Sequence, residues 1–108
     1  MAVNNTDDHL RNHGFILSES GWKLSPLYDV NPTPYGDELS LNVDAKDNRI
    51  SLDLAIRSAP YYNLKEQEAE KYANEIIDIV NSNWERIAIQ YGLARNSIEY
   101  MRPAFGLE

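Results

Sequence analysis

The sequence predicts a mainly α-helical protein with a small β-hairpin near its N-terminus. Apolar residues recur at steps of three and four through residues 63–91, which is the spacing of one face of a long helix. Two short apolar runs, 15–17 and 22–24, flank a turn that contains Gly21, a pattern typical of a hairpin. Two prolines and a glycine within residues 31–36 exclude regular structure and predict an extended loop there.

Length and composition indicate one soluble domain. At 108 residues, 43% of them hydrophobic and 25% charged, the chain can fold around one modest core. Seventeen acidic and ten basic residues give a net charge of −7, which disfavours direct binding to nucleic acid. The lack of cysteine excludes disulfides and thiolate metal sites, and no apolar run approaches the roughly 18 residues of a membrane span. We therefore expect a cytoplasmic protein with no membrane partner.

The segment after the extended loop leads into a helical region, which is expected over residues 51–105. Alternation of apolar and polar residues over 39–43 predicts either a strand or an extended arm. The first helix should be short, because Ser51 is a suitable N-cap and Pro60 stops the apolar pattern.

The long helix is the strongest local signal. Asn63 is expected to be its N-cap with Glu66 completing a capping box, and Gly92 is expected to end it. Residues 81–83 are poor helix formers and suggest a bend or a break. A last helix is expected from Asn96. The residues predicted to share the inward face of the long helix are Ala69, Tyr72, Ala73, Ile76, Ile79, Val80, Trp84, Ile87, Ala88 and Tyr91.

Three polar residues have the spacing of a phosphoryl-transfer site. Asp7 and Asn12 are five positions apart, and Asp29 follows seventeen positions later, after the predicted hairpin. Protein kinases use an Asp and an Asn at this spacing, then a hairpin and a metal-binding Asp, to orient the attacking hydroxyl and to hold magnesium. Because a hairpin brings its two flanking segments side by side, we expect the three side chains to converge.

The wider sequence strengthens this reading. The strings NTDDHLRNHGF and WKLSPLYDVNPTP resemble the HipA-like serine/threonine kinase family, which has an Asn-x-Asp-x-His-x-x-Asn loop followed by a Leu-x-Pro-x-Tyr-Asp segment. The resemblance spans essentially the whole chain, and its specific part is the first 35 residues. It implies the helical C-lobe of a protein-kinase-like fold, with a catalytic loop at 4–13, a β-hairpin at 14–24, a metal-binding loop at 25–36 and the helical region at 51–105.

The resemblance also implies roles for individual residues. Asp7 matches the family's catalytic aspartate, and Asn12 and Asp29 match its magnesium-binding residues. Val30 follows Asp29 where other kinases have Asp-Phe-Gly, so no glycine stands in that motif here. Asp8 and His9 lie inside the loop motif, but the chemistry assigns them no role.

Some expected kinase features are not in this sequence. A glycine-rich strand loop and an ATP-binding lysine would lie before Met1. Met1-Ala2 and Leu107-Glu108 resemble the edges of a piece cut from a longer protein. We therefore expect a C-terminal fragment that catalyses nothing alone, with ATP and Mg²⁺ as cofactors of the full-length protein and none bound to the fragment.

The resemblance implies partners as well. The full protein would be the toxin of a toxin–antitoxin pair, bound by a small helix-turn-helix DNA-binding antitoxin, and it would phosphorylate a protein substrate. DNA contact would then come mainly through the antitoxin.

Other interpretations stay open. The Asp and Asn residues could simply build turns in a non-catalytic helical interaction domain. The chain could also be a degraded kinase relative that keeps the loop without binding nucleotide. A zinc site at His9 and His13 is not expected, because the chain has no Cys and no third ligand stands near in a helical frame.

Overall fold

A two-stranded antiparallel hairpin follows the N-terminal loop in the computed structural model, which describes residues 1–106. Strand β1 (Phe15–Ser18) pairs with β2 (Gly21–Leu24), so that Phe15 lies opposite Leu24. Gly21 has a φ of +104°, a left-handed conformation that glycine adopts without strain, and this closes the tight turn. The predicted hairpin is confirmed. The interpretation of Leu107-Glu108 as a cut edge lies outside the described residues.

The chain between the hairpin and the first helix is a long loop. The segment 39–43 forms no strand; the extended arm is the alternative that the structure shows. A single bridge between Glu38 and Arg49 closes this part of the loop. The Asp44 carboxylate turns the chain by accepting hydrogen bonds from the N–H groups of Lys46 and Asp47. Local side-chain bonds therefore hold the arm back on itself, as Asp commonly does in turns.

The arm also carries a surface ion pair between Arg49 and Asp47 with a measurable consequence. Hydrogen bonds from the side chain and backbone of Arg49 lower the pKa of the Asp47 carboxyl from 3.8 to about 2. A lowered pKa means that the pair favours folding above the unfolded-state pKa and that this contribution is lost as pH falls through about 2. We expect Arg49→Ala to move the Asp47 midpoint part of the way back toward 3.8, since the backbone N–H remains.

The measurement is an NMR titration of the Asp47 carboxyl carbon. Arg57→Ala is the matched control, because Arg57 pairs with Asp53 and acts on Asp47 only as the smallest of the contributions that shift its pKa. An Asp47 midpoint that stays near 2 in Arg49→Ala would contradict the prediction.

Helix α1 (Leu52–Ser58) begins where the sequence predicts. The Ser51 hydroxyl accepts a hydrogen bond from the N–H of Leu54 at 3.2 Å, as an N-cap does. The helix ends in a 3-10 turn, Ala59–Tyr62, which contains Pro60 near its start. Leu54 is buried, and α1 packs against the long helix.

Helix α2 (Glu66–Gln90) confirms the predicted long helix but begins differently. Asn63 is not its N-cap: it has a φ of 59° and ends the preceding 3-10 turn. Two residues later Lys65 takes the N-cap position, and its N–H donates to the Glu68 carboxylate at 3.2 Å. The prediction was wrong because Pro60 opens an extra turn that uses Asn63 as its left-handed end.

Helix α2 is also continuous, without the break suggested at residues 81–83. Asn83 is tolerated because its Nδ2 donates to the carbonyl of Ile79, four residues earlier, at 2.7 Å. After Gly92, α3 (Arg95–Met101) runs into a 3-10 turn, Arg102–Phe105.

The core is thin for a chain of this length. Within residues 1–106 the buried apolar side chains are Leu54, Ala59, Ile98 and Ala104. The radius of gyration is 15.3 Å, against roughly 13 Å expected for a compact domain of this size. In this part of the chain, no helix is both long and apolar enough to cross a membrane.

The predicted inward face of α2 is only partly covered. No residue of α2 is buried, and Tyr72, Ile76 and Ile87 remain 52%, 53% and 42% exposed. Ile79 and Tyr91, which were predicted on the same face, are 64% and 80% exposed. The prediction of a buried stripe was therefore wrong for these five side chains. The helical spacing shows which residues share a face of α2. Those residues become buried only where another element packs on them, and α1 covers only part of that face.

Candidate functional site

The N-terminal loop is tied to the segment that follows the hairpin. The Asn4 carbonyl accepts hydrogen bonds from both the N–H and the hydroxyl of Thr33, at 3.2 and 2.8 Å. The Thr6 carbonyl accepts from the N–H and the hydroxyl of Ser40, at 3.1 and 2.8 Å. Gly36 has a φ of +90°, and a side chain there would lie only 3.1 Å from Thr6. These bonds hold the loop before the hairpin against the segment after it.

Asn12 and Asp29 meet across the base of the hairpin. Asn12 Nδ2 donates to Asp29 Oδ2 at 2.8 Å, although the two residues are seventeen positions apart. The N–H of Ser25 donates to the carbonyl of Gly14 at 2.8 Å and extends the pairing beyond β1 and β2. The structure thus brings together two of the three predicted site residues.

The orientation of the Asn12 amide follows from its neighbours. Asn12 is 6% exposed, and its Oδ1 accepts a hydrogen bond from the N–H of His9 at 3.1 Å. A backbone N–H can pair only with the amide oxygen, and a carboxylate can accept only from the amide nitrogen. The Asn12 oxygen therefore faces His9 and its NH₂ faces Asp29.

Asp29 is held by more than Asn12. Its φ of 57° is left-handed, a conformation that Asp and Asn tolerate better than most residues. Asn31 Nδ2 donates to Asp29 Oδ1 at 2.7 Å. The preceding Tyr28 hydroxyl donates to the Arg11 carbonyl at 2.8 Å, which fixes this loop against the first one.

Asp7 lies on the same loop with an exposed side chain. Its neighbour Asp8 faces His13, whose Nε2 is 2.8 Å from the Asp8 carboxylate. The convergence of Asp7 with Asn12 and Asp29 stays a prediction.

An apolar cavity of about 500 Å³ adjoins the site. Asn5, Asp8, Asn12 and His13 contribute polar side chains to its lining, and the remaining lining residues come mainly from the N-terminus, the loop after the hairpin, α1 and α2. The residues of the long helix that line it are Ala73, Ile76, Ile77 and Val80.

Comparison with family models gives a match over most of the chain. A family model described as the HipA-like C-terminal domain matches residues 1–84, which include both loops, the hairpin, α1 and most of α2. The chain belongs to this family. Comparisons with curated proteins and with solved structures found no match. Residues 85–106 lie beyond the matched part of the HipA-like domain.

The residues present fit magnesium in donor type. Asp29 and Asn12 offer carboxylate and amide oxygens, which magnesium prefers. Within residues 1–106 no cluster of three or more acidic or His side chains could hold a metal ion alone. The pair therefore suits an ion that also keeps water and phosphate oxygens. Because Asn12 Oδ1 already accepts from His9, only its second lone pair is available to such an ion.

Sequence reasoning missed Asn31 as a member of this site. Its position two residues after Asp29 was a usable signal, because Asn and Asp side chains often bond to neighbours at that distance in turns. It also missed two polar atoms in the loop motif. Asn5 Oδ1 and His9 Nδ1 are buried, with no hydrogen-bond partner in the described part of the chain.

Proposed function

We propose that this chain is the C-terminal portion of a HipA-like kinase with a protein-kinase-like fold, which transfers the γ-phosphate of ATP to serine or threonine of a protein. The contact between Asn12 and Asp29 carries the proposal, because it joins the two predicted metal-binding residues across the hairpin at 2.8 Å. Membership of the HipA-like family supports it.

The roles follow from what phosphoryl transfer requires. ATP when bound supplies the phosphoryl group, and its magnesium neutralises charge on the phosphates. Asp7 orients the attacking hydroxyl and receives its proton, which an exposed carboxylate on a fixed loop can do. Asp29 would hold the magnesium side of the nucleotide, and Asn12 would add the remaining lone pair of its amide oxygen. The exposed position of Asp29 leaves its outer lone pairs open to the ligand.

The proposal extends to partners. The family context supports a toxin role in which a small helix-turn-helix antitoxin binds the kinase. The net charge of −7 disfavours direct contact with DNA and leaves that contact to the antitoxin.

The chain alone is expected to show no phosphoryl transfer. It offers no glycine-rich phosphate loop and no partner lysine for ATP in its sequence. Incubation with radiolabelled ATP, magnesium and a generic protein substrate should give incorporation no higher than a heat-treated control. A longer chain that adds the nucleotide-binding half should incorporate label in the same assay. Label transferred by the 108-residue chain itself would contradict the expectation.

A non-catalytic interaction domain is the second candidate, and the exposed apolar surface favours it. Phe15, Leu17 and Trp22 on the hairpin are 68%, 65% and 70% exposed. Grouped apolar side chains that are this exposed are typical of a surface that binds another protein. The gene sequence before Met1 discriminates between the two candidates. A glycine-rich strand loop and a lysine there support the kinase, and their absence supports the interaction domain.

A further inference from the structure

Asn31 holds the carboxylate of Asp29 from the side opposite Asn12. Asn12 Nδ2 donates to Oδ2 at 2.8 Å, and Asn31 Nδ2 donates to Oδ1 at 2.7 Å. Each oxygen of the carboxylate therefore has its own amide donor. One donor comes from the loop before the hairpin and the other from the loop after it.

Two donors on different oxygens can fix the plane of a carboxylate, which a single donor cannot do. The torsion that rotates an Asp carboxylate has broad, shallow minima, so a single hydrogen bond leaves the plane of the group free to swing. Asp29 is exposed, and its surroundings give little steric restraint. A second donor at the other oxygen fixes the plane. It leaves the remaining lone pairs pointing in a defined direction.

We propose that Asn31 is a positioning residue that sets the orientation of the Asp29 carboxylate for its metal-binding task. The inference rests on the proposed phosphoryl-transfer function for that task, but the orienting role itself needs no metal. Residues that orient a metal ligand typically change metal affinity by about 10- to 100-fold when they are replaced.

The first test is made on the metal-free chain. Asn31→Ala removes the donor, and Asn31→Asp keeps its shape but puts an acceptor in its place. In both variants we expect the side-chain amide signals of Asn12 to move in ¹H–¹⁵N spectra and its amide protons to exchange with water about three- to tenfold faster. Asn42→Ala, at an exposed loop position, is the control and should leave Asn12 unchanged.

The outcome separates a donor role from a space-filling one. If Asn31→Asp leaves the Asn12 signals and exchange rate unchanged, Asn31 only fills space and the proposal is overturned. Unchanged Asn12 signals in Asn31→Ala overturn it equally.

The second test uses Mn²⁺ alone as the probe, since manganese takes the same oxygen ligands as magnesium and broadens nearby signals. Binding to this chain without nucleotide is expected to be weak, so Mn²⁺ is raised until signals broaden, and the wild-type amides of Asn12 and Asn31 should then broaden before that of Asn42. Asn31→Ala should need about tenfold more Mn²⁺ to broaden Asn12 equally. An equal Mn²⁺ requirement overturns the proposal. If wild-type broadening does not favour Asn12 and Asn31, this chain does not hold Mn²⁺ without the nucleotide, and the metal-free exchange experiment decides the role of Asn31.

Discussion

Replacing Asp29 by asparagine in a chain that includes the nucleotide-binding half is expected to reduce phosphoryl transfer about 100-fold or more. The substitution removes the negative charge that, under the proposed function, faces the magnesium of the nucleotide, and it keeps nearly the same shape. Asparagine also tolerates the left-handed backbone at this position, where φ is 57°. The folded structure should therefore survive. Asp29→Ala should lose as much activity, but it also places alanine in an unfavourable conformation.

The measurement is the initial rate at saturating ATP and magnesium, with the fold checked by circular dichroism. Asp78→Asn on the exposed surface of α2 is the matched control and should leave the rate unchanged. Asp7→Ala and Asn12→Ala should be as damaging as the Asp29 variants, because under the proposed function they remove the proton acceptor and an amide oxygen on the metal side. Near-normal turnover by a folded Asp29→Asn protein would remove the main support for the kinase assignment.

Replacing Trp84 by alanine is expected to cost about 2–3 kcal/mol of unfolding free energy. The Trp84 ring stacks on Phe105 with centroids 4.4 Å apart and planes 7° from parallel. The guanidinium of Arg102 lies 5.3 Å from the centre of the same ring. Because Trp84 is only partly buried, its loss should cost less than the ~3–5 kcal/mol typical of a fully buried aromatic residue. A loss of this size is still a large fraction of the unfolding free energy of a small domain.

Urea unfolding followed by circular dichroism tests this effect, and the chain provides its own control. Trp22, the other tryptophan, is 70% exposed on the hairpin, so Trp22→Ala should change stability by less than about 0.5 kcal/mol. The double variant of Trp84 and Phe105 should cost less than the sum of the two single variants, because both lose the same stack. Equal costs for Trp84→Ala and Trp22→Ala would show that the stack contributes nothing.

Local features of the fold were predictable from sequence where neighbouring residues determine them. The hairpin follows from two apolar runs around Gly21, and α1 follows from its Ser51 cap. The N-cap of α2 was not predictable, because Asn63 suits both the N-cap of α2 and the left-handed end of a preceding turn. Pro60 starts that turn, and Asn63 ends it. Burial along α2 failed for a different reason. Helical spacing identifies an apolar face, but it says nothing about whether another element covers it.

The site was predictable in part. The meeting of Asn12 and Asp29 follows from the hairpin between them, since a hairpin returns the chain to its starting point. The orientation of the Asn12 amide did not follow from spacing, because it depends on the backbone of His9. Asn31 was missed because its side chain acts through a neighbour two residues away, a signal that ordinary turn sequences share.

The left-handed backbone of Asp29 bears on how such a kinase can lose its activity through mutation. Each aspartate codon becomes an asparagine codon by a single base change, and asparagine fits the φ of 57° at this position. Under the proposed function, one point mutation can therefore silence the chemistry while the protein continues to fold. Replacing Asp29 with a β-branched residue would destabilise the fold, so such a variant would be removed by selection for stability. Relatives of this chain that have lost catalysis are thus expected to carry asparagine at this position more often than other replacements.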